Sequence, residues 1–124
     1  MDVLIKFEGS IKPVDSLLLK EIGEKIVQDC NQRVKYDKSN EVGVKDGGLI
    51  TGLTIAGFAM TAISTFITIL QYFQNRNPEH DITIINDENE IVLRESKRSQ
   101  EDITLKELIS KNTSSRIQIR IKRN

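Results

Sequence analysis

Hydrophobic and polar positions alternate through Val3-Leu4-Ile5-Lys6-Phe7-Glu8. Val3, Ile5 and Phe7 fall on one side and Lys6 and Glu8 on the other, which predicts a half-buried strand closed by Gly9-Ser10. The period then lengthens. Leu18, Ile22 and Ile26 recur every four residues with Val14, Leu17 and Val27 beside them, and Lys20, Glu21, Glu24 and Lys25 form the wet face. That is an amphipathic helix. Pro13 suits its first turn, Asp15 favours its positive N-terminal end, Gly23 weakens it mildly, and it ends near Cys30-Asn31. Residues Arg33 to Asp37 read as a short polar strand, and Lys38 to Gly48 as a loop.

Between Asp46 and Arg76 the pattern changes completely, because residues Gly47 to Asn75 carry no charge in a chain that is 29% charged. A helix needs about 20 apolar residues to cross a hydrocarbon core. Leu49 to Phe73 as one helix would measure about 38 Å, enough to span with some tilt. On that helix Leu49, Ile55, Ala59, Met60, Ile63, Phe66, Ile67, Leu70 and Phe73 form a bulky apolar face. A stripe of small and hydroxyl-bearing residues, Thr54, Gly57, Thr61, Ser64, Thr65 and Thr68, runs along the other side. Small residues spaced by four permit close helix approach in membranes. The flanks lack Trp/Tyr belts at both ends, with only Tyr72 and Phe73 marking one, so conditional insertion fits better than a resident span. The competing use is a long helix buried between subunits.

Beyond Asn77-Pro78, Asp81 to Asn86 and Glu90 to Arg94 predict strands of a hairpin around Asp87-Glu88-Asn89. Ile103, Leu105, Leu108 and Ile109 give a short helix, and Arg116 to Lys122 alternates strictly as a last strand. Its basic face (Arg116, Arg120, Lys122) reads as an exposed sheet face or edge. The fold class is therefore α+β, ordered β-α-β, long apolar membrane-type helix, β-β-α-β. The segments are 1–46, 47–75 and 76–124. Each flanking half is too small for a comfortable core, so the strands are expected to share one sheet.

Composition removes several functions. Eighteen basic and eighteen acidic residues balance to zero net charge, which disfavours nucleic acid as a partner. The single cysteine, Cys30, cannot form an internal disulfide, and the opening residues lack the form of a signal peptide, so a cytoplasmic protein that also reaches the inner membrane is expected. His80, the only histidine, reads as a polar linker residue, and Cys30 as a small, partly buried residue without an activating base. Residues Gly43 to Gly48 have phosphate-loop glycines, but Leu49 and Ile50 stand where Lys and Ser/Thr are needed. No metal-ligand cluster or nucleophile motif is present, so neither an enzyme nor a cofactor is expected.

The glycine-bounded loop Gly43 to Gly48, the apolar stretch Leu49 to Phe73, the break Gln74-Asn75-Arg76-Asn77 and the strand-turn-strand Asp81 to Leu93 resemble the prokaryotic effector-associated constant component family. Tyr72-Phe73 and Arg76 are a reduced version of the aromatic, basic helix end associated with that family. The resemblance implies a non-enzymatic component of a bacterial antiviral defence system, activated by a protease or signalling module. With the central helix, the expectation is a homo-oligomer that inserts into the lipid bilayer of the inner membrane and permeabilises it. The alternative is a soluble oligomeric scaffold or adaptor with the apolar helix buried between subunits.

Overall fold

A computed structural model of the chain describes residues 2–38, 48–85, 90–93 and 117–123. In chain order the elements are β1 (Val3–Glu8), α1 (Pro13–Cys30), β2 (Val34–Lys38), β3 (Ile50–Ile55), a 3₁₀ turn (Met60–Ala62), α2 (Ile63–Arg76), β4 (His80–Ile85), β5 (Glu90–Val92) and β6 (Ile117–Arg123). The strands form a single mixed sheet in the order β2-β3-β1-β6-β4-β5. Only β1 and β6 pair in parallel; the other neighbours are antiparallel. β1 and β2 therefore run the same way with β3 between them, and β3 and β4 the same way with β1 and β6 between them. These are two split β-α-β units. The fold is α+β, and the strands from both halves of the chain share the sheet, as the sequence predicts.

Alternation decides which face is covered. Val3 and Ile5, Leu53 and Ile55, Ile82 and Ile84, and Ile117, Ile119 and Ile121 point inward and form one buried cluster with residues of α1 and α2. The opposite face carries Lys6, Glu8, Gln118, Arg120 and Lys122. A mixed sheet with helices on one side can leave its other face in water. β6 lies in the middle of the sheet, not at an edge, with Arg120 and Lys122 on the face away from the helices and Arg123 on the core side.

The uncharged run does not form one helix. Ile50–Ile55 is a strand between β1 and β2, and helix begins only at Ile63. α2 has 14 residues, about 21 Å, against the roughly 30 Å of a hydrocarbon core. Among the described residues, no helix is long and apolar enough to cross a membrane. The physical reason is local. Ile50, Thr51, Thr54 and Ile55 are β-branched and suit a pleated surface. Gly52 sits where a Cβ would lie 2.6 Å from the Ile5 carbonyl oxygen, so only glycine allows this pairing. Gly57 takes φ +64, ends the strand, and donates its N–H to Asp2 Oδ1 at 3.2 Å.

Along α2 and the turn before it, bulky apolar and hydroxyl-bearing residues differ in burial. Ile63, Phe66, Ile67, Leu70 and Phe73 are buried, whereas Thr61, Ser64 and Thr68 are exposed and Thr65 is half-buried. Thr68 Oγ1 back-bonds to Ser64 O at 2.9 Å. Before the 3₁₀ turn the helical assignment is wrong. Ile55 is buried from β3, Thr54 faces the other side of the sheet, Gly57 is in a turn, Leu49 and Ala59 are half-buried outside regular elements, and Met60 opens the 3₁₀ turn. The apolar face of α2 is covered by this chain's own sheet and by α1. The expected helix over 103–111 and the loop over 39–47 lie outside the described residues.

Candidate functional site

Two places combine chemistry with shape. The first is a buried polar cluster at one rim of the core. Asp15 occupies the first turn of α1, where the helix dipole favours a carboxylate. Its Oδ2 accepts the Lys12 N–H at 2.9 Å and lies 3.3 Å from Arg123 Nη2; its Oδ1 is 2.8 Å from His80 Nε2. His80 and Arg123 are directly paired across β4 and β6. Gln74 Nε2 donates to His80 O at 2.6 Å while Gln74 Oε1 accepts the Ile82 N–H at 2.8 Å. Phe7 meets the His80 ring edge-on at 6.2 Å. Asp15 is fully buried, His80 is 2% exposed and Gln74 5%. Burial raises the Asp15 carboxyl, but the hydrogen bonds from His80 and Lys12 and the charges of Arg123 and His80 outweigh it. The group titrates below its ordinary value. A carboxylate can only accept, so Nε2 carries the imidazole proton.

This arrangement corrects the linker assignment of His80. The cluster ties the start of α1 to the ends of α2, β4 and β6. Cys30 is elsewhere, buried, with its thiol pushed up by burial and then by the Asp29 carboxylate. Among the described residues, no group of three or more His, Cys, Asp or Glu side chains is placed to hold a metal ion. The signal for the cluster was present in the alternation. His80 continues the inward register of Ile82 and Ile84, and Arg123 that of Ile117, Ile119 and Ile121, so both polar groups fall on the core side.

The second place is the outer surface of the helix layer. Val14, Leu17, Glu21, Glu24 and Gln28 follow the i, i+3, i+4 spacing and share one narrow stripe of α1. Val14 and Leu17 are each 59% exposed, which overturns their expected place beside the core. The stripe leads into a groove of about 510 Å³ between α1 and α2. Glu21, Glu24, Lys25, Gln28 and Asp29 form one wall, and Thr68, Ile69, Tyr72, Phe73 and Arg76 the other wall and floor. Ile69 and Phe73 are buried at its base, and Tyr72 is 48% exposed. Lys25 pairs with Asp29 at 3.2 Å. Arg76 lies over the Tyr72 ring at 5.4 Å and donates to its hydroxyl at 2.7 Å. Both cations are thus engaged. Glu21 and Glu24 have no hydrogen bond or ion pair among the described residues, so the groove presents an acidic wall over an apolar floor.

Comparison of the chain with protein families, with curated proteins and with solved structures gives no match.

Proposed function

We propose that this chain is a non-enzymatic adaptor that docks a partner segment on the α1 stripe and the α1–α2 groove. The observation that carries the proposal is the stripe itself: two exposed apolar residues, Val14 and Leu17, continue into two carboxylates, Glu21 and Glu24, beside a groove with an apolar base. Grooves of a few hundred Å³ with few convergent polar groups are the usual form of binding sites. The complementary partner is an amphipathic helix with apolar anchors at one end and Lys or Arg at the other. In the setting implied by the resemblance, that segment belongs to the activating protease or signalling module.

Fluorescence anisotropy with a labelled basic amphipathic peptide and its charge-reversed counterpart tests the proposal. The basic peptide is expected to bind, and Glu21→Lys with Glu24→Lys to weaken it at least about tenfold. Equal binding of both peptides, or of neither, contradicts it.

A second reading keeps one observation, the absence of charge from Gly47 to Asn75. Insertion into a bilayer requires β3 to leave its place between β1 and β2 and α2 to leave the core. Dye release from vesicles, with the activating partner present, tests this; retention of dye removes it.

A further inference from the structure

Among the described residues, β2 is an edge of the sheet, paired only with β3. An exposed edge offers unpaired N–H and C=O groups to another strand. The Asp37 carbonyl oxygen accepts the Thr51 hydroxyl of β3 at 3.3 Å, so the Asp37 backbone is turned toward β3. Backbone groups alternate sides along an antiparallel strand, which turns the N–H and C=O of Tyr36 outward. The irregularity between β2 and β3 places the extra residue, Thr51, on β3 and leaves the outward row of β2 regular.

The side chains of this edge are self-complementary. If two copies of β2 meet antiparallel about a twofold axis through Tyr36, Tyr36 faces Tyr36 as a hydrogen-bonded pair. Lys35 of each copy then faces Asp37 of the other as a non-hydrogen-bonded pair, with Cα atoms about 4.5 Å apart. Opposite charges directly across strands stabilise the pairing, whereas like charges oppose it. Neither the Lys35 ammonium nor the Asp37 carboxylate has an ion pair among the described residues. The helix above the edge contributes as well. Lys20, Gly23 and Val27 share the flank of α1 that meets Tyr36: a Cβ on Gly23 would lie 2.7 Å from Tyr36 Cε1, and Tyr36 Oη donates to Lys20 O at 3.4 Å. Val27 on that flank is 46% exposed.

We infer that a second copy of this chain pairs with β2, forming a twofold dimer with a sheet continuous across both copies. Val27 meets its counterpart above the seam. This deepens the adaptor reading by supplying a homo-oligomer, yet it uses a surface separate from the groove. An interface of one short strand and one helix flank is small, so association is weak and concentration-dependent.

Sedimentation from micromolar to millimolar concentration, with K35E, D37K and their equimolar mixture, tests the inference. Wild type is expected to dimerise. Each variant alone, which sets like charges opposite each other twice, is expected to associate at least about tenfold more weakly. The mixture regains the dimer, because the introduced glutamate of one copy faces the introduced lysine of the other while the native pair remains. A monomeric wild type, a dimer indifferent to both variants, or a mixture without recovery overturns the inference. Peptide binding to K35E is expected unchanged, so failure of the dimer and failure of the groove are told apart.

Discussion

Asp15, itself without exposure to water, accepts from the Lys12 N–H and lies against the buried His80 and the partly exposed Arg123. Breaking a buried ion pair by removing one partner typically costs 3–5 kcal/mol, because the remaining charge is left uncompensated. Asp15→Asn is therefore expected to lower the unfolding free energy by about 3 kcal/mol at neutral pH, measured by denaturant titration. The pH dependence has a definite sign. The carboxyl lies below its ordinary value of 3.8 in the folded chain, so its contribution is fully present above that value. It is lost as pH falls through the folded value. The gap between wild type and Asp15→Asn should therefore close on acidification below about pH 4. A gap that persists unchanged through that acidification would contradict the assignment. At this scale the sequence placed Asp15 at a helix N-terminus, where local electrostatics are visible in one dimension. Its partners lie 65 and 108 positions away, and only their inward register hinted that two polar residues shared the core side.

Elements were legible wherever one period governed the pattern. β1, α1, β2, β4 and β6 lie within a residue or two of their predicted bounds, and Pro13 and Asn31 mark the two ends of α1 as expected. The uncharged run failed because two periods occupy it in succession. Leu53, Thr54 and Ile55 alternate as a strand, and Ile63, Phe66, Ile67 and Leu70 follow as a helix. The lack of charge concealed the change, while Gly52 and Gly57 were the markers of it. Gly23 shows a related point. It reads as a weakness of α1, but it is the notch that admits the Tyr36 ring. Burial, and then the Glu24 carboxylate, holds the Tyr36 phenol above its ordinary pKa, so it remains a neutral donor. Gly23→Ala is expected to destabilise the wild-type chain. In a Tyr36→Ala background the same change should stabilise it by about 1 kcal/mol, the ordinary preference of a helix for alanine. A double-mutant cycle measured by thermal unfolding checks the reversal; equal effects in both backgrounds would show that the notch is unimportant.

For the whole molecule, the use of the uncharged run determines what remains for function. Its bulky residues fill the core formed by one sheet face and two helices, so α2 presents its hydroxyl side and groove wall outward. The surfaces proposed for partners are the α1 stripe, the groove and the β2 edge; of these only the groove draws on the run, which supplies Thr68, Ile69, Tyr72 and Phe73. The candidate site was only partly legible, because exposure of Val14 and Leu17 follows from where α2 packs, not from the period of α1. All of this depends on Ile50–Ile55 being a strand between β1 and β2, with helix starting only at Ile63. Backbone chemical shifts and cross-strand NOEs test this most directly. Strand-type shifts over residues 50–55, with NOEs between Leu4 and Thr54 and between Lys35 and Thr54, are the predicted result. Uninterrupted helical shifts from Leu49 to Phe73 without those NOEs would contradict it.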